Sequence, residues 1–130
     1  MASIFTKIVQ GEIPCHKVAE TDNCLAFLDI NPLAKGHTLV IPKPEIDYLF
    51  DVQEPLYGEL MTFAQKVAKA IDATMTCERV GMAVVGLEVP HAHIHLIPIS
   101  HVHDIDFSRP KLDLTQEELA AIAKEIAEVI

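Results

Sequence analysis

The sequence predicts an α+β domain built on a mainly antiparallel sheet. Three patterns carry that expectation. Short apolar runs end at proline, glycine or Asx-rich turns, as strands do. Two longer stretches keep their apolar residues at spacings of three and four, as helices do. These strand runs and helices are mixed along the chain, with tight turns between them. At 130 residues, 50% of them hydrophobic, and with a mean hydropathy of +0.26, the chain fits one packed domain spanning 1–130.

Ser3 is suited to cap a short helix over Ile4–Gln10, with Gly11 to end it and Pro14 to keep it from resuming. His16–Ala19 and Cys24–Ile30 read as strands joined through the turn-rich Glu20-Thr-Asp-Asn23. Asn31-Pro32 and Lys35-Gly36 mark an irregular loop before a strand over His37–Ile41, which Pro42 and Pro44 close. A long helix is expected from Pro55, at its first position, to Met75, with an apolar stripe of Leu56, Leu60, Phe63, Val67, Ile71 and Met75. Arg79–Val85 and Ala92–Pro98 read as two more strands, connected through Gly86-Leu-Glu-Val-Pro90. Thr115 and Glu118 form a capping box for a last helix, Leu114 and Leu119 suit a hydrophobic staple, and Leu119, Ile122, Ala123 and Ile126 face inward.

Composition excludes several classes of function. No apolar run approaches the ~20 residues that span a bilayer, and residues 1–7 lack the basic-then-apolar pattern of a secretory signal. Cys15, Cys24 and Cys77 are odd in number and unpaired in spacing, which reads as reduced thiols in a cytoplasm. A net charge of −9, with 10 basic against 19 acidic residues, opposes long-range attraction to nucleic acid or anionic membrane. With no Trp, stacking platforms are also scarce.

Chemistry concentrates in His91-Ala-His93-Ile-His95, which runs into Leu96-Ile97-Pro98. Seven histidines in 130 residues produce such a run by chance about 0.02 times per chain. On a strand, alternation puts His91, His93 and His95 on one face and Ala92, Ile94 and Leu96 on the core face. Imidazoles two residues apart stand ~6.6 Å apart, about the span of a phosphate flanked by two ring nitrogens. A neutral imidazole is a competent nucleophile near pH 7, and His93, flanked on both sides, is the natural attacking residue. A metal reading competes. Two of these rings suit zinc, but the third lies ~13 Å along, so further ligands would have to come from elsewhere, His37 among them. The plain alternative is a polar strand face without chemistry, opposed by the apolar flank that implies burial. His16, His101 and His103 read as solvated.

The run His91-Ala-His93-Ile-His95-Leu-Ile resembles the signature of the histidine-triad (HIT) family. Ser3-Ile-Phe-Thr-Lys-Ile-Val-Gln-Gly-Glu-Ile-Pro14 resembles that family's opening segment. Cys24-Leu-Ala-Phe-Leu-Asp-Ile-Asn-Pro32 and Gly36-His-Thr-Leu-Val-Ile-Pro-Lys43 resemble its central block, most closely in the Hint-like nucleoside phosphoramidase branch. The resemblance implies a five-stranded, mainly antiparallel sheet with a long central helix and a C-terminal helix. It also implies a homodimer whose two sheets join into a ten-stranded one. It further implies hydrolysis of purine nucleoside 5′-phosphoramidates through a nucleotidyl-histidine, with no cofactor. By that likeness His93 attacks the α-phosphorus, His95 contacts the phosphate oxygens, and His91 and His37 orient their neighbours. Asp29 falls where the ribose hydroxyls are held, and Phe5, Ile8, Phe27 and Ile30 fall on the base pocket.

The chain departs from the family at three points. Lys43-Pro44-Glu45 replaces a motif that often carries a further His. Gly86-Leu-Glu-Val-Pro90 is shorter than the usual Asn- and Gly-rich loop and lacks its amide and hydroxyl, so backbone at Gly86 and Leu87 is expected to substitute. Glu88 there favours a substrate with a cationic leaving group. Ser3 and Thr6 stand where some bacterial relatives carry a zinc-binding Cys pair, so no metal is expected. Two alternatives remain beside the phosphoramidase, namely a nucleotide-binding module with weak catalysis and a dinucleoside polyphosphate hydrolase.

Overall fold

The computed structural model describes residues 2–130. In chain order the elements are α1 (Ile4–Val9), β1 (Lys17–Glu20), β2 (Cys24–Leu28), β3 (Thr38–Pro42), α2 (Leu56–Thr74), β4 (Arg79–Ala83), β5 (Ile94–Ile99) and α3 (Gln116–Ala127). Short 3₁₀ turns at Leu49–Asp51 and Val102–Ile105 were not expected from the sequence. The five strands form one antiparallel sheet in the order β1-β2-β3-β5-β4. The expected α+β architecture is therefore the one observed.

Strand alternation divides the apolar residues between two faces. Ala26 and Leu28 of β2, Val40 of β3, and Ile94 and Leu96 of β5 turn to the face covered by α2 and α3, where Leu60, Val67, Ile71, Leu119 and Ile126 complete the main core. The opposite face carries a smaller cluster of Phe5 from α1 with Leu25, Phe27, Leu39 and Ile41. Ala92, Ile94 and Leu96 pack into the main core as expected, which turns His95 to the α1 side.

Local signals explain the helix ends. The Ser3 hydroxyl accepts from the Thr6 N–H and caps α1, and Gly11 follows at φ 81°, a conformation that costs glycine little. At α3 both halves of the Thr115–Glu118 capping box form. Pro55 stands one position earlier than expected, at the N-cap of α2, with its carbonyl accepting from the Glu59 N–H.

Two strand boundaries differ in a way that matters for the site. β5 begins at Ile94 rather than Ala92, because the Ala92 N–H bonds to the Ile46 carbonyl and the His91 N–H to that of Val89, outside the ladder. It also continues past Pro98, which pairs with Val80 of β4, whereas the pairing with β3 stops at Leu96. Proline's missing N–H is thus tolerated where one neighbour is absent.

Leu60 is fully buried beneath the sheet. Leu60→Ala is expected to cost about 3 kcal/mol of unfolding free energy, read as a lower urea midpoint with an unchanged slope.

Candidate active site

Pairing of β3 with β5 sets Leu39 opposite His95 and Thr38 opposite Leu96, so His37, one residue before β3, arrives beside the His95 ring. Gly36 makes the approach possible. It holds φ +95°, and a Cβ there would stand 2.7 Å from Met75 Cγ. His37 Nε2 lies 3.0 Å from His95 Nδ1, and both rings are buried.

The hydrogen bonds assign the proton on each ring. The Leu33 N–H donates to His37 Nδ1 at 3.0 Å, so the neutral ring carries its proton on Nε2 and donates it to His95 Nδ1. His95 therefore carries its own proton on Nε2. At His93, Nδ1 donates to the His91 carbonyl at 2.7 Å, which leaves Nε2 with a free lone pair. Among the described residues no fully buried side-chain nitrogen or oxygen lacks a partner. The Nε2 atoms of His93 and His95 are therefore accessible, on rings whose centroids are 5.0 Å apart.

Both rings open onto a cavity of about 500 Å³. Phe5, Ile8, Phe27 and Ile30 form part of its apolar wall, and Asp29, Gly86, Leu87 and Glu88 reach it as well. The structure thus brings together every residue expected at the site except His91. That ring does not line the cavity. It is fully buried, with Nε2 donating to the Pro42 carbonyl at 2.8 Å and Nδ1 bonded to the Ser3 hydroxyl at 2.8 Å. The expected single face holds, since Ala92 packs into the main core with Ile94 and Leu96 while His91 turns to Phe5 and Ser3 on the α1 side. The correction concerns the cavity, because the α1 region covers His91 and leaves only His93 and His95 of the three open to it. His91 meets His93 through its backbone carbonyl.

Glu45 sits at the far end of this arrangement. One of its oxygens accepts from the Ser3 N–H at 2.5 Å and from the Thr6 hydroxyl at 2.7 Å. The Ser3 amide, first, and the Thr6 hydroxyl hold its carboxyl down at about 2. Ser3, Thr6, Glu45 and His91 form a hydrogen-bonded polar cluster.

Burial also tunes the charge of the site. It pushes His37 down to about 3 and His95 to about 4, with the neighbouring imidazole adding to each effect. Both rings are neutral at pH 7. Burial raises the Asp29 carboxyl, opposed by the Asn31 N–H that its Oδ1 accepts at 2.8 Å. Asp29, His37 and His95 have ligand atoms within 4.8 Å of one another, a spacing open to a cation. The proton pattern does not fit one. A metal on His37 Nε2 would force the ring proton onto Nδ1, where it would face the Leu33 N–H, donor against donor.

Among the cavity residues that the sequence does not point to are Phe107 and Lys111. The Phe107 ring packs T-shaped against His95 and His37, with centroids 4.8 and 6.3 Å away. Their polar surroundings gave no periodic signal. His16, His101 and His103 lie outside the cavity. His16 bonds Gln116, and the His101 and His103 rings stack on the surface.

A five-stranded antiparallel sheet that sets paired imidazoles over one apolar cavity defines a class, and comparison with known proteins identifies it. A model of the HIT domain matches residues 10–102, and the chain belongs to that family. It is 36% identical over 132 residues to the adenosine 5′-monophosphoramidase of Schizosaccharomyces pombe, covering 100% of this chain and 99% of that one. Among solved structures, a HIT-like protein from Bartonella henselae superposes with a TM-score of 0.85 at 31% identity, over 98% of this chain and 96% of that one. A zinc-bound histidine triad family protein from Mycobacterium smegmatis gives 0.81 at 26% identity, over 98% and 95%.

The lowered imidazole pKa values set a pH dependence of stability. The unfolded chain binds these protons near pH 6.5, the fold only near 4 and 3. The contribution is complete above about pH 6.5 and is lost as the pH falls toward those values, with a slope of up to about 1.4 kcal/mol per pH unit for each ring. Asp29, raised by burial, acts with the opposite sign, starting at its ordinary 3.8 and ending at its raised value. His37→Asn is expected to flatten the stability profile between pH 6.5 and 5, measured by urea titration at each pH.

Proposed function

We propose that this protein hydrolyses purine nucleoside 5′-phosphoramidates through a covalent nucleotidyl-histidine on His93. The observation that carries the reading is the His93 Nδ1–H bond to the His91 carbonyl, which puts the neutral ring's lone pair on Nε2, on a ring facing the cavity. Nucleotide hydrolysis is the coarser part of the proposal, supported by family membership and by the activity named for the S. pombe relative.

In the first step His93 Nε2 bonds to the α-phosphorus as the P–N bond breaks, and the departing nitrogen takes a proton from solvent water to leave as the amine. The neutral His95 ring donates its Nε2–H to a phosphoryl oxygen, and the His37 Nε2–H fixes that tautomer. In the second step water attacks phosphorus, the P–Nε2 bond breaks, and the nucleoside monophosphate departs. His91 acts at one remove, through its carbonyl.

Asp29 is the proposed acceptor for the ribose hydroxyls, and Phe5, Ile8, Phe27 and Ile30 supply the apolar base pocket. Gly86, at φ +69°, and Leu87 bring backbone to the cavity where the family's longer loop would offer side chains. A homodimer through β4 belongs to the same reading. β4 is an edge strand, and Met82, Val84, Val85 and Leu87 on or just past it are exposed. One domain acting in the cytoplasm completes the proposal. Among the described residues no helix is long and apolar enough to cross a membrane.

His93→Ala is expected to lower turnover of an adenosine 5′-phosphoramidate by at least about 1,000-fold, with unfolding still cooperative. Quenched wild-type reactions should carry labelled nucleotide on His93, detected by mass spectrometry. A variant near wild-type rate would sink the mechanism.

A further inference from the structure

The cavity poses an electrostatic problem that the histidines do not solve. A phosphate ester brings negative charge into a chain of net charge −9, beside Asp29 and Glu88. His37 and His95, held neutral by burial, offer dipoles rather than positive charge. Lys111 is the one lysine or arginine lining the cavity among the described residues.

Its segment is exposed from Ser108 to Leu112 and is tied to the site at two points. The Leu112 N–H donates to the Pro32 carbonyl at 2.8 Å, tying residues 107–112 to the loop that follows Asp29. Phe107 packs edge-on against both catalytic-side imidazoles. The Lys111 ammonium donates to the carbonyls of Phe107 at 2.5 Å and Arg109 at 3.2 Å, leaving one of its three N–H groups without a partner among the described residues. Asp29 and His37 both feel its charge. Arg109 is unavailable for the same task, since its guanidinium holds Asp104 and the His103 carbonyl and does not reach the cavity.

We infer that Lys111 is a substrate-binding residue that holds the phosphoryl group of the nucleotide, its free N–H directed at a non-bridging oxygen from the rim formed by residues 107–112. This rests on the nucleotide reading above and adds to it the source of positive charge. The base and ribose need none, because an apolar wall and a carboxylate acceptor suit them, so the phosphoryl group is the one charged partner the ligand offers the ammonium.

Calorimetric titration with adenosine monophosphate and, separately, with adenosine distinguishes the roles. Lys111→Ala is expected to weaken the monophosphate at least about tenfold while leaving adenosine within about twofold. Lys111→Arg should restore most of the monophosphate affinity. Raising salt should weaken the monophosphate in wild type more than in Lys111→Ala. Equal losses for both ligands would make Lys111 a wall residue and overturn the inference, and so would no loss for either. A wild-type protein that binds neither ligand would overturn the nucleotide reading itself, a result recognisable before any variant is made.

Discussion

The hydrogen bond between the buried rings of His37 and His95 is the interaction on which the candidate site depends. Two imidazoles removed from water can sit 3.0 Å apart only if one donates and the other accepts. The Leu33 amide settles which, because its N–H occupies His37 Nδ1. One backbone donor in an irregular loop therefore propagates through two rings and emerges as an N–H at the cavity. Nothing in this chain of bonds requires charge, and burial suppresses it. The His93 ring is set by an independent bond, to a backbone carbonyl, which points its reactivity the opposite way. A donor and an acceptor thus stand side by side on neighbouring rings.

Much of the fold was legible because its signals are local. Ser3, Gly11 and the Thr115–Glu118 pair act within one helical turn of themselves, and the stripe from Leu60 to Ile71 is a periodicity that any packed helix must display. Strand ends were less legible. Whether Ala92 or Ile94 begins β5 depends on what the Ala92 N–H finds, and that partner is the carbonyl of Ile46, far away in sequence. Pro98 looked terminal because proline lacks a donor, yet the neighbour that would have needed the donor had already ended.

The site divides along the same line. Residues within a recognisable motif, such as His93, His95, Asp29 and Phe5, reach the cavity as expected. His91 shares the motif and the α1-facing side but not the cavity, since Ser3 and Phe5 cover its ring, a contact made across 86 residues or more of chain. Phe107 and Lys111 escaped notice because nothing in their own neighbourhood marks them. They matter through the packing of a coil segment against rings contributed by β5 and the start of β3. Tertiary placement of irregular chain is what short-range patterns cannot encode.

The six-residue helix near the start of the chain has an outsized thermodynamic reach. Phe5 leans on the rings of both His91 and His93, at 5.9 and 5.0 Å, while Ser3 and Thr6 join it to Glu45. Helices this short have little cohesion of their own and persist through what they pack against. Seating of this helix and occupancy of the hollow beside it are therefore a single coupled equilibrium. A molecule held there would tighten the leading turn, and peeling that turn away would both unwall the hollow and strip His91 of its hydroxyl partner.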